Sequence, residues 1–193
     1  MKEIKVIRKL CSPYASPITI VEVLRSDNKW KIRLCSDTTN LNKITIKDIR
    51  FLLNFKMIFN KLREIVVYTI IDMIAGYWQV RVYKEDIPKI TFVTVWGQYE
   101  YLRMPFRLCN VPAIFQWLMN HILHDYLDEF VMVYLDDIVI YSKSITEHVK
   151  HLDWILDQLK WTGLKIKVEK CKFAKFEIKL LSHWISADLI WVK

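Results

Sequence analysis

Glycine is the residue that this chain most plainly lacks, with three among 193 residues. Soluble proteins average roughly 7% glycine, so the shortage is large. Glycine adopts a positive φ without steric strain, and turns that need such a φ must here be built largely from other residues. Close approaches of the backbone to a ligand are harder to build for the same reason.

Long apolar runs and paired cysteines are also missing. The most apolar stretch, residues 65–80, is shorter than the roughly 20 residues of a membrane span and contains Asp72. The first ten residues lack the unbroken apolar segment of a signal peptide. Four widely spaced cysteines without a C-x-x-C pair are typical of reduced thiols. The sequence therefore predicts an intracellular protein of the cytoplasm or nucleus, neither secreted nor bound to a membrane.

Charge is plentiful but unevenly placed. The chain carries 29 basic and 21 acidic side chains, a formal net charge of +8. Residues 1–33 and 160–179 each carry a net +5, whereas residues 120–159 carry a net −6. An acidic centre between basic arms suits a protein that binds a polyanion and also needs a metal at one spot. Solvated faces of unequal sign are the simpler alternative.

The apolar pattern predicts an α+β fold with helices backing one antiparallel sheet. Strands are predicted at Ile18–Leu24, Lys31–Cys35, Ile65–Asp72, Trp78–Tyr83, Ile90–Val95, Tyr99–Met104, Phe130–Leu135, Ile138–Tyr141, Leu164–Val168 and Ile178–Ile185. One helix is predicted from Pro112, with Asn110 as its cap, and a second from a Ser144-x-x-Glu147 capping box to Gly163. His148 and His151 of the second helix are expected at the surface.

Three aspartates stand where apolar strands end. Asp136-Asp137 separates two apolar strands, and Asp72 ends a β-branched run. A solvated hairpin turn would also explain the Asp-Asp pair taken alone. Three carboxylates at one sheet edge, however, suit Mg²⁺, which prefers oxygen ligands. Two such ions can activate an attacking hydroxyl and stabilise a leaving oxygen.

Several motifs occur in the order found in one enzyme family. Tyr134-Leu135-Asp136-Asp137 resembles the Y-x-D-D box of reverse transcriptases, and the wider pattern resembles those of gypsy-type LTR retrotransposons. The accompanying motifs are Asp72-x-x-x-Gly76-Tyr77-x-Gln79, Tyr99-Glu100-x-x-x-Met104-Pro105-Phe106, Asn110-x-Pro112-Ala113-x-Phe115-Gln116 and Lys170-Cys171-x-Phe173. Each is weak alone, but the matches are collinear from about Ser12 to Ile190.

The resemblance implies the fingers and palm of an RNA-directed DNA polymerase, a nucleotidyltransferase with the right-hand fold. It assigns residues 1–63 mostly to a β-rich fingers part and residues 64–193 mostly to the palm, and leaves no thumb or RNase H pattern in the chain. It makes Asp72, Asp136 and Asp137 the catalytic, metal-binding triad for two Mg²⁺ ions, with Mn²⁺ as a substitute. The implied partners are an RNA or DNA template with its primer, deoxynucleoside triphosphates and the rest of a Pol polyprotein.

The resemblance also assigns residues around the substrate. Tyr77 matches the aromatic residue under the incoming sugar, Phe106 packs near the new base pair, and Arg33 holds the triphosphate; a core Tyr, a core Phe and a surface Arg are the simpler alternatives. Leu181, Ser182 and His183 match the primer-supporting turn, for which a plain β-turn is the alternative. Gln79, Gln116 and Cys171 are assigned structural roles.

Departures from the family pattern lower the expected activity. Arg107 stands where the family has glycine after Met-Pro-Phe, at a point where the backbone passes close to the nucleotide. Together with the lack of a thumb pattern, this predicts a fragment that polymerises poorly or not at all. The alternatives are a catalytically silent remnant that still binds nucleic acid, and an unrelated α+β scaffold in which Asp72 lies far from Asp136.

Overall fold

A computed structural model of the chain describes residues 6–24, 30–48, 62, 65–180, 183–187 and 190–192. It divides into two compact units, of which the first comprises residues 1–48 and 77–111 and the second residues 49–76 and 112–193. The assignment of residues 1–63 to fingers and 64–193 to palm stays a prediction.

The described part of the chain contains twelve strands and four helices. Their bounds are β1 Ile7–Lys9, β2 Ile18–Leu24, β3 Trp30–Ser36, α1 Thr39–Ile44, β4 Val67–Asp72, α2 Gly76–Gln79, β5 Thr91–Thr94, β6 Gly97–Tyr101, α3 Val111–Ile122, β7 Val131–Tyr134, β8 Asp137–Ser142, α4 Ile145–Trp161, β9 Lys172–Lys175, β10 Glu177–Leu180, β11 His183–Ser186 and β12 Ile190–Val192. Short 3₁₀ turns lie at Ile87–Lys89, His124–Tyr126 and Val168–Lys170. No helix among these is long and apolar enough to cross a bilayer.

The first unit contains two small antiparallel sheets, a three-stranded one in the order β1–β6–β5 and the hairpin β2–β3. The predicted hairpin around Trp96-Gly97-Gln98 is confirmed, because Thr94 pairs with Gly97 and Gly97 has a φ of +124°. The strand predicted at Trp78–Tyr83 is wrong: a helical turn occupies Gly76–Gln79, and Arg81 forms only an isolated bridge to Arg103. Six alternating residues are too few to separate a strand from a turn whose aromatic side chain packs elsewhere, as Trp78 does on Tyr101. The strand predicted at Leu164–Val168 is also wrong, since Ile166 forms an isolated bridge to Met73 and a 3₁₀ turn begins at Val168.

The second unit is built on a four-stranded antiparallel sheet in the order β7–β8–β4–β9. Side chains alternate between its two faces, as the period of a strand requires. Tyr68 and Ile70 of β4 pair with Tyr141 and Val139 of β8 on one face. These residues join a buried cluster that includes residues of the neighbouring β10–β11 hairpin: Ile178, Leu180 and Ile185.

Helices α3 and α4 supply apolar side chains for the remaining core of this unit. Phe115, Met119 and Leu123 are fully buried along α3 and just beyond it, at the helical spacing expected from the sequence. Helix α4 begins as predicted, since the Ser144 hydroxyl accepts a hydrogen bond from the Glu147 N–H. Its end is also as predicted, because Gly163 adopts a φ of +72°.

The prediction that His148 lies at the surface is wrong. His148 is 2% exposed and shares the buried stripe of α4 with Ile155 and Leu159. Its Nε2 lies 2.7 Å from the Thr69 hydroxyl and its Nδ1 lies 2.8 Å from the Ser142 hydroxyl. The i, i+7, i+11 spacing of these three helical residues is typical of a buried face and could have identified His148.

Candidate active site

Asp72 and Asp137 face each other across the two central strands of the second unit. Asp72 is the last residue of β4 and Asp137 the first of β8, and the antiparallel register places them directly opposite. Residues opposite in such a ladder have Cα atoms roughly 4.5–5.5 Å apart and side chains on the same face. The unrelated scaffold, in which Asp72 lies far from the Asp136-Asp137 pair, is therefore wrong.

Asp136 lies in the tight turn between β7 and β8. Tyr134 pairs with Asp137, so the hairpin loop consists of Leu135 and Asp136 alone. Leu135 has a φ of +52°, in the left-handed region that a two-residue hairpin requires of at least one central residue. Asp136 is exposed, whereas Asp72 and Asp137 are half-buried.

The electrostatics of this group are those of crowded anions beside lysines. Partial burial raises the pKa of Asp137, and the charges of Asp72 and Asp136 raise it further. Lys172 and Lys170 act in the opposite direction. The Lys170 ammonium lies 3.4 Å from Asp72 Oδ2, with its side chain 59% exposed.

The donor set fits a divalent, oxygen-preferring cation. Aspartate oxygens are the ligands that Mg²⁺ and Mn²⁺ favour, and repulsion among the three carboxylates is what such a cation would relieve. Within the described ranges, no three His, Cys, Asp or Glu side chains converge tightly enough to hold a metal as they stand. Asp72 and Asp137 are directly opposite in the ladder and Asp136 lies in the adjoining turn, so these are the carboxylates that would have to draw together around such an ion.

Two of the residues predicted to bind nucleotide form an aromatic group in the first unit. The rings of Tyr77 and Phe106 lie 5.4 Å apart between centroids, at an interplanar angle of 60°. Trp78 adds an edge contact to Phe106 at 5.8 Å. Phe106 is 48% exposed, so it is not the core residue of the simpler alternative.

Arg107 follows Phe106 and has a φ of +78°, a conformation that favours glycine. Its carbonyl oxygen accepts hydrogen bonds from the Thr38 hydroxyl at 2.9 Å and from Asn42 Nδ2 at 2.8 Å. The Arg107 side chain is exposed. The backbone here keeps a glycine-like conformation although the residue is arginine.

The other predicted site residues are only partly visible. Arg33 lies in β3 opposite Val21, and its side chain is outside the described part of the structure. Leu181 and Ser182 are also outside the described residues. His183 is half-buried in β11 and pairs with Leu180.

Two further residues lie beside the aspartates: Lys170, whose contact sequence reasoning missed, and Gln116, which the sequence assigned a structural role. Lys170 precedes Cys171 in a recognised motif, but its contact with Asp72 spans 98 positions and has no local signal. Gln116 is 5% exposed, and its side chain bonds to the backbone of Val133 and Leu135 beside the turn.

The fold of this chain matches solved structures of a viral protease-reverse transcriptase. A structure of the foamy viral protease-reverse transcriptase in complex with an RNA/DNA hybrid aligns over 97% of this chain and 25% of that chain, with a TM-score of 0.84 and 23% sequence identity. The chain therefore has the fold of a reverse transcriptase.

Sequence comparisons define the family. The sequence model described as reverse transcriptase (RNA-dependent DNA polymerase) matches residues 23–185. In Drosophila melanogaster, the Pol polyproteins of transposons 297 and gypsy are 40% and 33% identical over 94% and 95% of the chain. An RNA-directed DNA polymerase homolog of Oenothera berteroana is 47% identical over 124 residues, 63% of this chain and 87% of that protein.

The chain belongs to the reverse transcriptase family, and the resemblance to gypsy-type retrotransposons is confirmed. It spans 17% and 18% of the two fly polyproteins. Enzymes of this family use divalent metal ions.

Proposed function

We propose that this chain is the reverse transcriptase part of a retrotransposon Pol polyprotein, and that by itself it catalyses RNA-directed DNA synthesis only weakly. The supporting observation is the register that sets Asp72 opposite Asp137, with Asp136 in the adjoining two-residue turn. Family membership supports the reaction class, and the fold supports the arrangement of the sheet.

In this proposal the three aspartates hold two Mg²⁺ ions, for which Mn²⁺ can substitute. The bound ions would activate the primer 3′-hydroxyl and neutralise charge on the pyrophosphate that leaves as the new phosphodiester bond forms. Asp72 and Asp137 provide facing carboxylates on a rigid sheet, and Asp136 completes the site from the turn. Lys170 lies beside Asp72 and offsets part of the negative charge of the three carboxylates.

The nucleotide would be selected by residues of the first unit. Tyr77 lies under the sugar of the incoming deoxynucleotide, where its ring would clash with a 2′-hydroxyl. Phe106 packs against Tyr77 and borders the new base pair. Arg33 holds the triphosphate through charge-assisted hydrogen bonds.

The template and primer are the proposed macromolecular partners. Structural neighbours of this chain are complexes with an RNA/DNA hybrid and with double-stranded DNA. The basic residues within 160–179 would contact nucleic-acid phosphates, so binding should weaken with salt. Leu181, Ser182 and His183 would support the primer end. The four cysteines are free, which fits a protein of the cytoplasm or nucleus. The rest of a Pol polyprotein is a further proposed partner.

Single-nucleotide addition to a DNA primer on an RNA template, with Mg²⁺ or Mn²⁺, tests the proposal. Wild-type protein should extend the primer weakly, and Asp136→Asn should abolish the product without weakening nucleic-acid binding. Asp153→Asn makes the same charge change at an exposed position of α4 and should have no effect.

Binding of the template and primer without any extension by the wild-type protein would contradict the proposal. That result would instead identify a catalytically silent member of the family. Extension that Asp136→Asn leaves intact would show that the product does not come from this site.

A further inference from the structure

Gln116 connects helix α3 to the end of β7 and to the first residue of the turn that carries Asp136. Its Oε1 accepts a hydrogen bond of 2.8 Å from the Leu135 N–H. Its Nε2 donates to the Val133 carbonyl at 3.0 Å and to Asn120 Oδ1 at 2.9 Å. One side-chain amide thus satisfies a backbone donor and a backbone acceptor that lie two residues apart.

The turn needs such support because Leu135 is not glycine. Its φ of +52° brings Cβ close to the backbone, a conformation that leucine rarely adopts. The Val133 carbonyl and the Leu135 N–H both precede the Leu135 Cα, so the two bonds fix the backbone from which the turn begins. Fixing that backbone limits how far the turn can move away from helix α3.

Gln116 is itself held rigidly. It is 5% exposed, and it lies on a twelve-residue helix next to the fully buried Phe115. A bond from a fixed, buried side chain restricts its partner more than one from a mobile surface residue would. The position of the turn is therefore set by α3 as well as by the strand pairing of β7 and β8.

We propose that Gln116 is a positioning residue for the metal site, because it fixes the turn from which Asp136 reaches towards Asp72 and Asp137. This inference rests on the proposed function for the role of Asp136. The hydrogen bonds that hold the turn can be tested without any activity. Gln116 would act through Leu135 and would not touch a metal ion or substrate.

Gln116→Met removes both turn bonds at nearly constant volume. Amide hydrogen exchange at Leu135 should then accelerate by about five- to tenfold relative to the other amides of β7 and β8, the loss expected for one hydrogen bond. The affinity for Mn²⁺ alone, followed by electron paramagnetic resonance, should fall several-fold.

Asn120→Ala is the matched control. It removes the third partner of Gln116 but leaves the two bonds to the turn, so exchange at Leu135 and Mn²⁺ affinity should stay at wild-type values. Leu135→Gly combined with Gln116→Met should recover part of the Mn²⁺ affinity, because glycine adopts the positive φ without support.

Unchanged relative exchange at Leu135 in Gln116→Met would overturn the proposal, as would equal losses in Gln116→Met and Asn120→Ala. If Gln116→Met does not fold, Gln116→Glu replaces it: an acceptor for the Leu135 N–H remains while the donor to Val133 is lost. Exchange at Leu135 should then stay near the wild-type rate. Acceleration at Leu135 equal to that of the other amides of β7 and β8 would overturn the proposal. Wild-type protein that binds no Mn²⁺ would refute the proposed metal site, whereas the exchange data would still decide whether Gln116 holds the turn.

Discussion

Two turns of this molecule place a bulky residue in the left-handed region, Leu135 in the second unit and Arg107 in the first. In both, a side-chain amide on a helix bonds to the backbone of the turn, Gln116 at Leu135 and Asn42 at Arg107. A chain with three glycines thus uses buried or half-buried amides where a glycine would need no support.

The two turns differ in how firmly they are held. Gln116 is buried on the twelve-residue α3, whereas Asn42 lies on the six-residue α1, which has no buried residue. The Leu135 turn also adjoins the aspartates, whose mutual repulsion works against compact packing. The firmer support therefore lies where the electrostatic strain is greater.

The largest effect is expected from a change at Asp137, the aspartate at the end of the Leu135 turn. Asp137→Asn should lower the rate of nucleotide addition roughly 100-fold or more, because a ligand is lost. In metal-free buffer at pH 7 it should raise the free energy of unfolding by roughly 0.2–1 kcal/mol, since like charges directly opposite in a ladder destabilise it. Urea titration and single-turnover assays measure the two effects. An Asp137→Asn protein that loses both stability and activity would show that repulsion between the carboxylates does not destabilise the fold.

The second prediction concerns His148, whose ring bonds to Thr69 of β4 and to Ser142 at the end of β8 far from the Leu135 turn. Burial, and secondarily the neighbouring His151, lowers the pKa of His148 below its ordinary value of 6.5. The unfolded chain then binds a proton more readily than the folded one, so the free energy of unfolding should fall as pH drops below about 6.5. Protonation would also disturb the bonds of His148 to Thr69 and Ser142.

His148→Leu should cost roughly 1–3 kcal/mol at pH 7, because the Thr69 and Ser142 hydroxyls lose a buried partner. The same substitution should remove part of the change in the free energy of unfolding between pH 7 and pH 5. His124→Gln, at an exposed histidine, is the control and should leave the free energy of unfolding and its dependence on pH unchanged. Stability that is independent of pH in the wild type would refute this role of His148.

The smallest expected effect tests the Arg107 turn. Arg107→Gly should raise the free energy of unfolding by up to about 1 kcal/mol, because relief of the left-handed strain outweighs the added freedom of the unfolded chain. In an active enzyme it should also lower the KM for deoxynucleotides, since the family has glycine there. Arg81→Gly makes the same change where φ is not positive and should destabilise. Equal effects at both positions would show that the φ of Arg107 carries no strain.

Much of the fold could be predicted because its signals are local. The strand at Ile18–Leu24 has the same bounds in the structure, and the Ser144 cap and the Gly163 stop of α4 are confirmed. The carboxylates could be located because each adjoins an uninterrupted apolar strand. Trp78 and His148 were predicted wrongly, since the packing partners of each are distant in sequence.

By itself, the amino-acid sequence determined that Asp72 and Asp137 would stand at strand ends and that Asp136 would lie in a turn. Each apolar run ends beside one of these aspartates. Because successive side chains of a strand point to opposite faces, the position in the strand also fixes the face on which the side chain lies. Only the tertiary structure decided that Asp72 meets Asp137, that Gln116 holds Leu135 and that Asn42 holds Arg107. These contacts join residues 65, 19 and 65 positions apart, and only folding can select such partners.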